Sequence, residues 1–106
     1  MIRVTIRSRK GGITGFDCQG HAGFSDYGKD IVCAAVSVLT TTCVNALETV
    51  AGTEAEVQAK EGSMTVRLPE GSAHDAQVIL RAMRQGLRDV AEAYPDHLQL
   101  IEIERN

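Results

Sequence analysis

The sequence has 106 residues, 43% of them hydrophobic and 4% aromatic, with 11 Lys+Arg against 14 Asp+Glu. A chain of this length buries roughly 65% of its unfolded surface, so one core holds residues 1–106 as a single domain without metal or disulfide staples. A formal charge of -3 without a basic run excludes direct nucleic-acid binding as the main activity, which needs a cationic footprint.

The first segment alternates Ile2, Val4 and Ile6 with Arg3, Thr5 and Arg7, which predicts a strand with one buried and one wet face. It shows neither the basic start nor the apolar run of a signal peptide. Lys10-Gly11-Gly12 turns the chain into a second strand, Ile13 to Gln19, with Thr14, Phe16 and Cys18 on one face. Gly20 to Lys29 has three glycines and no period, and reads as a loop. Asp30 fits a helix N-cap, followed by the stripe Val32, Val36, Leu39, Cys43, Ala46 and Val50 up to Gly52. The apolar run Ile31–Leu39 is shorter than the about 20 residues a bilayer needs, so no membrane association is expected.

Glu54 to Lys60 and Met64 to Leu68 read as a second hairpin around Glu61-Gly62. Ser72-Ala73-His74-Asp75 has capping-box form and opens the stripe Ala76, Ile79, Met83, Leu87, Val90 and Tyr94, closed by Pro95. Leu98 to Glu104 is strand-like, with Leu98/Leu100 and Ile101/Ile103 on opposite faces, which implies a bulge or two-sided burial. The order ββαββαβ predicts an α+β two-layer sandwich: a mostly antiparallel sheet of about five strands with two helices on one face.

The chemistry concentrates between His21 and Cys33. With Asp30 as the cap, Cys33 falls in the first helical turn, where unpaired N–H groups and the macrodipole stabilise a thiolate and supply oxyanion donors. A loop histidine within reach would pair with that thiolate and later protonate a leaving group. The bland readings stand beside this: Cys33 as a small buried hydrophobe, His21 as a solvent-facing loop residue, and Asp30 as a cap rather than an orienting third member. Gly20, Gly23 and Gly28 suggest a loop that closes on an extended substrate. Phe24 and Tyr27 either line its pocket or pack the loop onto the sheet.

Gly20-His21-Ala22-Gly23-Phe24 and Tyr27-Gly28-Lys29-Asp30-Ile31-Val32-Cys33-Ala34-Ala35-Val36-Ser37 together resemble the signature of the bacterial ribosomal-processing cysteine proteases, the Prp family. The resemblance extends over the whole chain. It implies that His21 and Cys33 form a catalytic dyad. It also implies that the substrate is the precursor of large-subunit ribosomal protein twenty-seven, shortened at its N-terminus during ribosome assembly, and that the chain forms homodimers.

Cys18 and Cys43 are expected to pack. An odd number of cysteines at positions 18, 33 and 43 resembles no secreted disulfide framework, so reduced thiols and a cytoplasmic location are expected. Cys18, His21 and Cys33 offer three zinc ligands without a fourth, so neither metal nor cofactor is expected. Ser72, His74 and Asp75 read as a cap, not a catalytic triad. The alternative of another functional class is a non-catalytic assembly adaptor that binds an extended peptide by strand addition at a sheet edge.

Overall fold

A computed structural model describes residues 1–20 and 27–105, with the backbone alone for residues 27–30. The elements are β1 (Ile2–Arg9), β2 (Gly12–Gln19), α1 (Tyr27–Thr49), β3 (Glu56–Lys60), β4 (Ser63–Arg67), α2 (His74–Ala93) and β5 (Leu98–Arg105). They form the expected α+β sandwich. Five strands lie in the order β3-β4-β2-β1-β5, and β1 pairs with β5 in parallel while the other pairings are antiparallel.

Alternation sets the inner face. Ile2, Val4 and Ile6 of β1, Phe16 and Cys18 of β2, and Val66 of β4 are buried with residues from both helices in one core. The β1–β2 loop is Lys10-Gly11, and both residues have positive φ (52 and 82), the pattern that matches the twist of a two-residue hairpin. The register slips between Arg7, opposite Gly15, and Ser8, opposite Ile13, leaving Thr14 as the extra residue of a bulge. Thr14 is therefore exposed, and Ile13 takes the inward place expected for it.

Beside the bulge, the N–H and carbonyl of Ile13 are satisfied by a side chain from α2. Gln77 accepts from the Ile13 N–H at 2.8 Å and donates through Nε2 to the Ile13 carbonyl at 2.8 Å. Nε2 also donates to the Ser72 hydroxyl at 2.9 Å. The expected capping box is not formed: the N-cap of α2 is Ala73, without a side-chain hydrogen bond, and Ser72 stands one place outside it. The buried stripe of α2 is Ala76, Leu80, Met83 and Leu87. Leu80 thus replaces Ile79 as the inward residue, and Tyr94 lies beyond the helix and is exposed.

Helix α1 buries Val32, Val36, Thr40 and Leu47. Thr40 is tolerated because its hydroxyl donates to the Val36 carbonyl at 2.8 Å. Val50 lies past the helix and is exposed. The apolar run does not stop at Leu39. It continues through the uncharged Thr40–Leu47, so that Ile31–Thr49, 19 residues at mean hydropathy 1.6, is long and apolar enough to cross a membrane by length and composition. In this fold the segment instead packs one side on α2 and the core.

Strand β5 pairs with β1 without a register slip, which removes the expected bulge. Its two-sided apolar pattern has another cause. Leu98 is buried beneath the helices, whereas Ile101 is half-buried and Ile103 exposed on the helix-free face of the sheet. Arg88 of α2 ties this strand down through a two-pronged ion pair with Glu102, at 2.7 and 2.9 Å.

Candidate active site

Cys33 projects from α1, half-buried, and packs against the core cluster that contains Cys18. Cys18 lies on β2 opposite Val4 and Met64, one residue before the strand ends at Gln19. Burial pushes the Cys18 thiol up to about 12, and the charge that Cys33 would carry adds to the rise, which places the two thiols in each other's electrostatic reach. Burial also pushes up the Cys43 thiol. Both are thus poor nucleophiles, in keeping with the packing roles expected for them.

Gly20 fixes where the chain leaves β2. Its N–H donates to the Gly62 carbonyl at 2.9 Å, its φ is +85, and a Cβ there would stand 2.7 Å from the Met1 carbonyl oxygen. Only glycine meets both demands. His21, the next residue, lies outside the described residues, as do Gly23 and Phe24. Of the three glycines assigned to a closing loop, Gly23 lies outside the described residues, as does the zinc set that includes His21, whereas Gly20 follows the end of β2 and Gly28 lies inside the next helix, α1, and not in a loop.

Helix α1 begins at Tyr27, three residues before the expected cap, Asp30. Tyr27, Gly28 and Asp30 belong to its first turn, with side chains outside the described residues. Asp30 is accordingly not the N-cap, and Cys33 lies in the second turn, about 9 Å along the axis from the helix start. The free N–H groups belong to the turn before it, so the sequence-based placement of Cys33 among helix-end donors is corrected by one turn.

Among the described residues, no group of three or more His, Cys, Asp or Glu converges as a metal site. A groove of about 850 Å³ opens elsewhere, between the β1–β2 turn and the β4–α2 loop, lined in part by Arg7, Arg9, Lys10 and Arg67. It is not part of the thiol site: Gly15, in its floor, and Gly20 are separated by about 17 Å of extended strand. Sequence reasoning missed this feature, because its cations come from separate elements and form no run.

The profile described as cysteine protease Prp matches residues 1–99. The ribosomal processing cysteine protease Prp of Bacillus subtilis is 34% identical, over 94% of this chain and 96% of its own. A crystal structure from Streptococcus mutans superposes with a TM-score of 0.92 at 33% identity, covering 99% of this chain and 96% of that one. The Staphylococcus aureus ribosomal processing protease Prp with a substrate peptide gives a TM-score of 0.90 at 28% identity, covering 96% of this chain and 99% of its own. The same S. aureus protease with a covalently linked product peptide gives 0.87 at 30% identity, with equal coverage.

Proposed function

The chain belongs to the cysteine protease Prp family, and from that membership we propose that it removes the short N-terminal extension of large-subunit ribosomal protein twenty-seven with Cys33 as nucleophile and His21 as acid–base partner. The observation that carries this reading is the match over residues 1–99, which spans both residues, in a chain whose other two cysteines are held as thiols by burial. That relatives of this fold have been seen with a substrate peptide and with a covalently linked product peptide supports acyl transfer through a cysteine.

In the mechanism, the Cys33 thiolate attacks the scissile carbonyl and forms a C–S bond. The tetrahedral intermediate collapses as His21 delivers a proton to the departing amine, and water then cleaves the thioester, regenerating the thiol and releasing a carboxylate. Cys33 lies in the helical turn that follows residues 27–30.

The proposed setting is a cytoplasmic homodimer. Free cysteines suit a reducing compartment. The outer side of α1, with Ile31 and Val38 exposed at 60% and 65% and no charge between Ile31 and Leu47, supports contact with a second copy. The adaptor reading draws on β3, an edge strand exposed along its whole length. One experiment separates the two: mass spectrometry of the ribosomal precursor after incubation with wild type and with Cys33→Ala. The protease reading expects the extension to be lost with wild type alone. Binding by both without cleavage by either would replace it with the adaptor.

A further inference from the structure

The groove at the other end of the sheet concentrates positive charge in a chain whose net charge is -3. Arg7, Arg9, Lys10 and Arg67 line it, against the carboxylates of Asp17 and Glu70. Strand register explains the clustering. Arg7 of β1 and Arg67 of β4 both stand opposite Gly15 of β2, so the two guanidiniums rise on the helix-free face from strands one place to either side of a position with no side chain. Their Cα atoms are about 10 Å apart, twice the strand spacing. The gap cannot be filled by substitution, since a Cβ at Gly15 would run into the Val66 carbonyl oxygen.

One arm of Arg7 is taken by Asp17. Among the described residues, Arg9, Lys10 and Arg67 form no ion pair, although Glu56 is the register neighbour of Arg67 on β3. The opposite wall is Pro69-Glu70-Gly71-Ser72, leading into α2, whose first-turn N–H groups have no side-chain cap. A volume of about 850 Å³ is that of a small-molecule site. Among the described residues no aromatic side chain lines the groove, so they offer the bases of a single-stranded nucleic acid nothing to stack on.

We propose that this groove binds a small ligand bearing adjacent phosphate groups, held between the guanidiniums of Arg7 and Arg67 across Gly15 and by Arg9 and Lys10 at the β1–β2 turn. The site is separate from Cys33 and independent of the peptidase assignment.

Inorganic tripolyphosphate titrated calorimetrically into the full chain tests it, at about 0.1 M salt so that charges beyond about 10 Å are screened. Saturable binding is expected, weakened about tenfold or more by Arg67→Glu and by Arg9→Glu, as the loss of a charge-assisted hydrogen bond implies. Arg81→Glu, an exposed change on α2 outside the groove, should leave binding unchanged. Thermal melting establishes that each variant is folded, and Arg9, exposed at the strand end, keeps the test valid if Arg67→Glu is not. The proposal is overturned by the absence of saturable binding, by equal weakening in Arg81→Glu, or by tighter binding of an oligoribonucleotide than of tripolyphosphate.

Discussion

The two helices share one face of the sheet and divide their surfaces differently. Helix α2 has a buried stripe of Ala76, Leu80, Met83 and Leu87 and turns charged residues such as Arg81, Arg88 and Asp89 to water. Helix α1 buries Val32, Val36, Thr40 and Leu47 yet shows water Ile31, Ala34 and Val38, with no charge from Ile31 to Leu47. A helix finished against solvent needs nothing further, whereas one left apolar outside is finished by something else. The nucleophile proposed for this protease is on the unfinished helix.

Changes on each helix sharpen that contrast, and the largest effect belongs to α1. Cys33→Ala should lower peptide turnover by about 10³-fold or more while the melting temperature holds, as steady-state kinetics beside a thermal scan will read. Residual cleavage near the wild-type rate would remove Cys33 from the chemistry. On α2 the cost should fall on stability. Leu80→Ala, at a fully buried site, should cost about 2–5 kcal/mol in denaturant unfolding. A value within about 0.5 kcal/mol of wild type, the range of an ordinary surface change, would mean that α2 is not the stabilising partner.

Gln77→Leu should cost about 1–3 kcal/mol, because it strands the N–H and carbonyl of Ile13 at the bulge. Hydrogen exchange at Ile13 should accelerate with it. Val38→Asp, on the exposed side of α1, should change monomer stability by no more than about 0.5 kcal/mol while shifting sedimentation toward the monomer. An unchanged sedimentation coefficient would leave that face unpartnered by a second copy.

The smallest effect tests the tie between α2 and β5. Arg88 holds the Glu102 carboxyl below its usual range. A group depressed in the folded state stabilises above its unfolded pKa and loses that contribution as the pH falls through the folded value. Glu102→Gln should therefore melt slightly lower than wild type at neutral pH, with the gap closing below pH of about 4, the ordinary carboxylate range. The pair is exposed, so salt should narrow the gap as well.

What the sequence revealed, and what it concealed, follows the range of the interactions involved. Ile2, Val4 and Ile6 announce β1 because a two-residue period needs only the chain itself, and the stripe of α2 is legible for the same reason. The choice of Leu80 over Ile79 is not, since both are apolar and packing decides between neighbours. The start of α1 was concealed by Tyr27-Gly28-Lys29, which carries no apolar period, while Asp30 resembles a cap but sits inside the helix. Gln77 gave no signal, because its partner is a backbone 64 residues away in the sequence. The apolar period is enough to put Cys33 on α1, but its place relative to the helix end depends on those three unperiodic residues. The cationic groove needs the register Arg7–Gly15–Arg67, which exists only once the sheet is built.

The parallel pairing of β1 with β5 joins Ile2 to Leu98 and continues without a slip to Arg9 and Arg105. For a nascent chain this is a timing constraint. Until residues near 98 leave the ribosome, β1 can zip only to β2, and its other edge presents unsatisfied N–H and carbonyl groups to any strand nearby. The sheet is thus completed by its last-made strand, at the cost of closing a loop that spans nearly the whole chain. A protease assembled in this order has an incomplete sheet until β5 has been made.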